Sequence, residues 1–212
     1  MNKGMGVSYE AMKKLGETAN ATGGNLQDSL QEAMVASSHL SKTFGVDVKA
    51  IGKNFSAMAE DVETFGHLGP KALAATAAYA AKLGVEVSAL QGVMKSFDTF
   101  EDAAKNAGML AEAFGMNIDA MAMMNEENPA VRMDMLRQSL QETGRSMEDL
   151  SRHEQQLMAQ TMGMDLSSFK NAMSVDVDEM GFGDFEDAAE EAAQKITPEE
   201  AMADVAKSMK KL

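Results

Sequence analysis

One short junction recurs four times along this chain and limits the folds open to it. Each copy reads apolar, Gly, apolar, acidic or Asn, apolar, two small or polar residues, apolar, and the copies are centred on Gly45, Gly84, Gly115 and Gly163. A left-handed glycine ends a helix, the next apolar residue folds back on its last turn, and the polar residue starts the following helix. The pattern predicts four helix-turn-helix corners. Convergent use of good capping chemistry is the alternative explanation of the repeat.

Other helix starts are spread along the chain, whereas β-branched and aromatic residues never alternate over more than a few positions. Thr197 and Glu200 match a capping box around Pro198, and Asn128 precedes Pro129 in a similar way. We therefore expect an all-α fold, in which serial short amphipathic helices joined by Gly corners form an irregular helical array or bundle. The predicted helices cover residues 8–22, 25–44, 47–65, 70–83, 86–98, 100–114, 117–125, 129–143, 146–162, 165–174, 184–195 and 197–211.

Composition divides the chain into three segments. Residues 1–66 hold the N-terminal helices, residues 67–174 form a Met-rich helical array, and residues 175–212 comprise an acidic linker and the C-terminal helices. With 212 residues, the chain is long enough for one helical domain or two small ones. The corners are unevenly spaced, which indicates a degenerate array rather than a solenoid of fixed period.

A longer stretch, Phe-x-x-Phe-Glu-Asp-Ala-Ala, occurs twice. The first copy has its aromatic residues at Phe97 and Phe100, and the second has them at Phe182 and Phe185. Two phenylalanines three residues apart share one helical face and can clamp a neighbouring helix. The two acids lie in the first turn, where the helix dipole favours negative charge.

Few side chains are arranged for catalysis or for metal binding. The chain has no cysteine, and His39 and His67 lie without partners at ligand spacing. His153 and Glu154 begin like a zinc-protease helix, but Leu157 stands where the second histidine would bind the metal. Neither a Gly-x-Ser-x-Gly elbow nor a phosphate-binding glycine loop is present. We expect no enzymatic activity, no cofactor and no metal. A carboxylate site without a known motif is the remaining route to an enzyme.

The acidic segment 176–187 partly matches a calcium-binding loop. Carboxylates at loop positions 1, 3 and 9 and a glycine at position 6 agree with that loop. Met180, however, stands at position 5, where an oxygen ligand is expected, and Asp187 at position 12 is too short for the usual bidentate glutamate. An acidic linker before the next helix is therefore the favoured interpretation.

Methionine is the most unusual component of this chain. There are 21 methionines, against an aromatic share of only 5%. Methionine is flexible and polarizable, so Met-rich surfaces re-pack easily against partners. We interpret the Met-rich middle as the part that meets neighbouring subunits, and an ordinary core is the alternative. The candidate interface residues are Phe97, Phe100, Met121, Met124, Met133, Phe182 and Phe185.

The charge and the apolar runs exclude two kinds of partner. The net charge of −14 argues against a nucleic-acid-binding surface, because phosphates are neutralised by clustered cations. The first residues contain no apolar signal region, and the alanine-rich stretch 72–81 is shorter than the roughly 20 apolar residues that span a bilayer. We expect neither stable nucleic-acid binding nor a membrane segment.

The run from Ala80 to Leu166 resembles a helical region of bacteriophage tail tape measure proteins. Those proteins carry comparable Leu-Gly-Val-x-x-x-x-Leu corners, as at Leu83, and a Phe-x-x-Phe-Glu-x-Ala-Ala stretch, as at Phe97. A Gly-x-x-x-x-x-Met segment follows this stretch in those proteins and in this chain. The likeness covers roughly 90 to 130 residues and lies in the overall pattern, since no short signature defines the family.

The resemblance implies a structural protein of the virion tail. Such a protein is assembled in the host cytoplasm, occupies the tube lumen or its baseplate end, sets tail length and is released before the DNA is ejected. It implies self-association as a trimer or hexamer and contacts with tail tube and baseplate hub proteins.

Two features differ from the usual pattern of that family. Tape measure proteins are generally much longer, and 212 fully helical residues would span only about 320 Å. The Gly corners also break any sustained heptad, so a folded segment is expected in place of a long coiled-coil rod. The alternative function is a cytoplasmic, acidic, Met-rich helical adaptor that binds a partner helix in a groove.

Overall fold

The computed structural model describes residues 7–21, 23–175 and 180–210. All regular secondary structure in these residues is helical. These residues form thirteen α-helices, one 3₁₀ helix (Met147–Asp149) and no strand, which confirms the all-α prediction. The α-helices are α1 (Tyr9–Ala21), α2 (Leu26–Phe44), α3 (Val48–Glu60), α4 (Val62–Phe65), α5 (Pro70–Leu83), α6 (Val87–Ser96), α7 (Phe100–Phe114), α8 (Ala120–Asn125), α9 (Pro129–Glu142), α10 (Arg152–Thr161), α11 (Leu166–Met173), α12 (Phe182–Lys195) and α13 (Pro198–Lys210).

The helices group into two compact units, which differ from the three predicted segments. The first unit comprises Met1–Lys82 and Phe182–Leu212, and the second comprises Leu83–Gly181. The predicted C-terminal segment is therefore divided, and its helices α12 and α13 pack on α2 from the start of the chain. Composition along the chain does not reveal that the last helices pack on an early one, because helices with complementary faces pack together regardless of their separation in sequence.

Helix α5 is the apolar centre of the first unit. Every residue from Leu73 to Ala80 is buried, as a helix that is apolar on all sides requires. The side-chain amide of Asn54 in α3 donates to the carbonyl oxygen of Ala77 at 3.2 Å. Among the described residues, no single helix is long and apolar enough to cross a membrane, although α5 and α6 together, on either side of a bend, reach that length and composition.

Helices α12 and α13 complete the first unit along α2. The ring of Phe185 in α12 stacks on Phe44 at the end of α2, with ring centroids 3.8 Å apart. In α13, the carboxylate of Asp204 pairs with the ammonium group of Lys42 at 2.5 Å and accepts a hydrogen bond from the Ser38 hydroxyl at 3.2 Å. Aromatic stacking and a polar contact therefore hold the two C-terminal helices on the same partner.

A buried arginine connects α6, α8 and α9 in the second unit. Arg132 of α9 is 2% exposed, and its guanidinium donates to the carbonyl oxygens of Met94 at 3.0 Å, Met124 at 3.0 Å and Glu126 at 2.5 Å. Met94 lies in the last turn of α6, where its carbonyl oxygen also accepts from the Phe97 N–H, and the other two oxygens lie at or just past the end of α8. Burial lowers the pKa of Arg132 from its usual value, against the opposing effects of Asp98 and Glu126.

All four predicted corner glycines adopt the left-handed conformation, which confirms that part of the corner prediction. Their φ angles are 65° at Gly45, 69° at Gly84, 75° at Gly115 and 76° at Gly163. The apolar residue after each glycine is buried, as the pattern predicts. These four residues are Val46, Val85, Met116 and Met164.

The polar residue of the junction starts the next helix at three corners, through Asp47, Glu86 and Asp165. At the remaining corner the predicted start at Asn117 is wrong. Helix α8 begins later, because the carboxylate of Asp119 accepts hydrogen bonds from two backbone N–H groups of its first turn, at 2.9 and 3.0 Å. A charged acceptor binds these N–H groups more strongly than an amide oxygen does.

Two predicted helices are each interrupted by a cap. The predicted helix 47–65 is divided into α3 and α4, because the side chain of Asp61 accepts a hydrogen bond from the Thr64 N–H and starts a new helix. The predicted helix 146–162 is divided into the 3₁₀ helix and α10 by a capping box between Ser151 and Glu154. Short polar side chains compete with the helix for backbone partners, so each of these boundaries is set locally.

Candidate functional site

The seven predicted interface residues do not form one accessible surface. Phe97, Met133, Phe182 and Phe185 are each at most 1% exposed within the chain. The prediction that these four side chains contact other subunits is therefore wrong for this fold. The physical reason is that large apolar side chains gain most by leaving water, and each of these four already does so inside its own unit.

The second copy of the aromatic repeat forms the predicted clamp. Phe182 and Phe185 both lie on α12, and the ring of Tyr79 in α5 sits between them. The centroid of the Tyr79 ring is 5.5 Å from that of Phe182 and 5.6 Å from that of Phe185, with interplanar angles of 81° and 84°. These are edge-to-face contacts, the favoured geometry of aromatic pairs, and they attach α12 to the central helix of the first unit.

The first copy does not form such a clamp. Phe97 follows the last residue of α6, whereas Phe100 is the first residue of α7, so the two rings do not share a helix. Thr99 separates them as the N-cap of α7, with its hydroxyl accepting from the Asp102 N–H at 3.1 Å. As a result, Phe97 is buried and the side chain of Phe100 is 63% exposed.

The methionines of the Met-rich middle are divided between core and surface: of the thirteen in residues 67–174, six are buried, five are half-buried and two are exposed. Among the predicted interface methionines, only Met121 is strongly exposed, at 46%, while Met124 is half-buried. Met109 on α7, which was not among the predicted residues, is 39% exposed. The fully or almost fully buried methionines of this segment are Met116, Met123, Met133, Met158, Met162 and Met164.

An open apolar groove lies between α7 and α10 in the second unit. It has a volume of about 380 Å³. Its lining residues are Met109, Glu112, Ala113, Phe114, Leu157 and Thr161. We call it the α7–α10 groove. It has one ionisable group, Glu112, and an otherwise apolar or weakly polar lining, so it is suited to receiving apolar side chains and not to catalysis.

Sequence reasoning missed this groove. The high methionine content of this part of the chain carried a general signal for an adaptable surface, but one wall of the groove comes from Leu157 and Thr161 of α10, far along the chain from α7. Helical periodicity identifies the faces of one helix and does not identify which helix lies opposite. Only the packing of α7 on α10 brings the two walls together.

A second, more polar cavity of about 280 Å³ lies beside Arg137 and Arg145. Both guanidinium groups are held by their own chain: Arg137 by the Asp134 carboxylate at 2.6 Å and Arg145 by the Glu154 carboxylate at 2.8 Å. Hydrogen bonds from Arg145 and then from Ser151 lower the pKa of Glu154 to about 2. Arg137 also donates to the carbonyl oxygens of Val175 at 2.9 Å and Met180 at 3.1 Å, so both arginines tie α9, or the residues just after it, to later parts of the chain.

The sequence contains two partial metal-binding patterns, one that begins at His153 and one over residues 176–187. Within residues 7–21, 23–175 and 180–210, no group of three or more His, Asp or Glu side chains is placed to hold a metal ion. Part of the calcium-loop segment 176–187, namely residues 176–179, lies outside the described residues. The acidic-linker interpretation remains a prediction.

Comparison with known proteins does not assign a function to the α7–α10 groove. No family model, no curated protein and no solved structure matches the chain. An internal comparison remains, because the chain contains two copies of the aromatic repeat and four of the glycine corner. Those copies have different surroundings in the two units.

Proposed function

We propose that this chain is a structural protein of a phage-like tail, a tape measure protein or a folded segment of one. It occupies the lumen of the tail tube or its baseplate end, contributes to setting tail length, and is released before the DNA is ejected. It is assembled in the host cytoplasm and remains in the virion. The proposed role requires binding and release of proteins, and it requires no chemical turnover.

One structural observation carries this proposal: the second unit presents large apolar side chains to solvent. Phe100, Met109 and Met121 are 63%, 39% and 46% exposed, and the α7–α10 groove lies on the same unit. Met109 also lines that groove, and exposed apolar side chains of this size are typical of surfaces that contact other proteins. The sequence resemblance covers this same part of the chain.

Helix length supports a folded segment in place of a continuous rod. The longest described helix, α2, has 19 residues and therefore spans about 29 Å. Each of the four corners changes the direction of the chain after one helix. If this protein determines tail length, it therefore does so through many short helices in series and not through one long helix. We propose trimers or hexamers of such chains that contact tail tube and baseplate hub proteins.

The acidic charge supports the proposed passage of DNA. At a net charge of −14, the protein is repelled by the phosphate backbone and would not retain the genome in the tube. We expect no binding of duplex DNA at physiological salt. Measurable affinity in a filter or anisotropy assay would argue against a position in the lumen.

The decisive experiment duplicates residues 83–181 in frame and measures tail length by electron microscopy. This segment is one compact unit, so the duplication adds a whole folding unit. Longer tails are expected, together with detection of the chain in purified tails by mass spectrometry. Tails of unchanged length that contain the chain would remove the length-setting role, and tails that lack the chain would overturn the whole proposal.

The alternative candidate is an acidic helical adaptor of the cytoplasm, and the α7–α10 groove is the observation that favours it. A groove of this type accepts the apolar face of a partner helix. The native mass separates the two candidates: a trimer or hexamer favours the tail protein, and a stable monomer that binds an amphipathic peptide favours the adaptor. Carboxylate substitutions that abolish some catalytic turnover would be needed to support an enzyme.

A further inference from the structure

A phenylalanine precedes the corner glycine at two of the four corners, and Phe114 is 5% exposed whereas Phe44 is half-buried. In the first unit, Phe44 ends α2 immediately before Gly45, and α12 covers it with the stacked ring of Phe185. In the second unit, Phe114 ends α7 immediately before Gly115 and lines the open α7–α10 groove. The same local structure therefore stacks on a ring of α12 in one unit and borders an open groove in the other.

The groove has the size and chemistry of a helix-docking site. Met109, Ala113 and Leu157 provide an apolar lining beside Phe114. Its volume of about 380 Å³ lies in the range that accommodates small ligands, which is enough for one or two large side chains. An amphipathic helix presents such side chains at spacings of three and four residues. Methionine in the lining adapts to the shape of the inserted group.

The charge of the second unit identifies the kind of helix that fits. Leu83–Gly181 contains seven Lys and Arg residues against seventeen Asp and Glu residues. Glu112 lines the groove, and the exposed Glu101 and Asp102 lie on the first turn of the same helix, where Lys105 is the one cation. Such a surface attracts a cationic partner.

We propose that the α7–α10 groove binds an amphipathic helix of a basic partner protein, which places an apolar side chain against the exposed Met109 and Ala113. This inference rests on the proposed function in one respect, namely that the chain acts through contacts between helices. It adds the binding site and the charge of the partner.

The test uses the full chain labelled with ¹³C at the methionine methyl groups. The probe is a synthetic helical peptide with Leu and Phe on one face and Lys on the other, and a second peptide carries Glu in place of Lys. With the Lys peptide, the methyl signal of Met109 is expected to shift, whereas that of Met202, 46% exposed on the first unit, is not. The Glu peptide is expected to produce no shift.

Two arginine substitutions on α7 separate groove binding from general attraction. Ala113→Arg places a long cationic side chain in the groove, and we expect it to weaken peptide binding by about tenfold or more. Ala104→Arg is the matched control, because Ala104 is exposed on the same helix outside the groove lining and the charge change is identical. Its affinity is expected to stay within about twofold of the wild-type value. Circular dichroism verifies that both variants fold.

Four results would overturn the inference. These are no shift of Met109 with the Lys peptide, equal binding of both peptides, equal loss of affinity in both variants, and no loss in either variant. A Met109 shift that follows protein concentration without peptide would show that a second copy fills the groove. If the chain binds the Lys peptide but is absent from tails, the groove proposal stands and the tail function is contradicted. If the chain is present in tails but does not bind the peptide, the tail function stands and the groove proposal is contradicted.

Discussion

Gly92 and Gly163 bring two backbones of the second unit into direct contact. A Cβ atom added to Gly92 would lie 1.8 Å from the carbonyl oxygen of Gly163, and one added to Gly163 would lie 2.3 Å from the carbonyl oxygen of Gly92. Neither distance is compatible with a side chain. At this position the corner glycine therefore serves two purposes, because it permits the left-handed turn and allows α6 to approach closely.

We expect Gly92→Ala to lower the free energy of unfolding by about 3 kcal/mol, because the added methyl group overlaps backbone atoms that are fixed by the corner. Gly108→Ala is the control, since its added Cβ would meet nothing within 4 Å. On the exposed face of α7, alanine is a better helix former and is expected to stabilise by about 0.5 to 1 kcal/mol. Urea unfolding followed by circular dichroism measures both effects. Similar changes in the two variants would contradict the close approach.

Helices α7 and α12 both contain the sequence Phe-Glu-Asp-Ala-Ala but differ in what its phenylalanine contacts. Phe185 stacks on Phe44 and meets Tyr79, whereas Phe100 is 63% exposed. We expect Phe185→Ala to cost about 3 to 5 kcal/mol of unfolding free energy because it leaves a cavity. Phe100→Ala is expected to change it by no more than about 0.5 kcal/mol. Thermal and urea unfolding measure both, and a large loss in Phe100→Ala would show that this ring has a partner in the fold.

Helix α13 is held by a polar contact as well as by apolar ones. The hydrogen bond from Lys42 lowers the pKa of Asp204 below its usual value of 3.8. Because the pKa of the folded state is the lower one, the stabilising effect is present above about pH 4 and is lost as the pH falls through the folded-state pKa. Acid is therefore expected to loosen α13 from α2.

This acid sensitivity is testable with a charge-matched pair of variants. Between pH 6 and pH 3, the urea midpoint of the wild type is expected to fall more than that of Asp204→Asn, which has no carboxylate to protonate. Asp187→Asn removes an exposed carboxylate of α12 and is expected to behave like the wild type. If Asp204→Asn and the wild type lose stability in parallel, the ion pair does not govern the response to acid.

At the level of the complete chain, the first unit depends on helices that come from both ends of the sequence. A chain that ends at Gly181 lacks α12, and Tyr79 loses both of its aromatic neighbours. We expect Tyr79 to become accessible to acrylamide, in addition to Tyr9, which is already 76% exposed. Tyrosine fluorescence quenching measures this, and no tryptophan interferes. Continued protection of Tyr79 would show that the N-terminal helices fold without α12.

Helix existence and most helix ends were predictable, because their causes are local. The left-handed glycines, the buried residue after each of them and the caps at Asp47 and Asp165 depend on contacts within about five residues. The misplaced start at Asn117 and the breaks at Asp61 and Ser151 are also local, and they reflect competition between neighbouring capping groups.

The partners of those helices were decided by the tertiary structure. Identical letters gave a buried Phe185 and an exposed Phe100, because α2 and α5 are available to α12 whereas no aromatic partner within the described residues covers the start of α7. Methionine content alone likewise did not distinguish core from surface. Periodicity along a helix specifies which side chains share a face, but burial depends on what packs against that face from elsewhere in the chain.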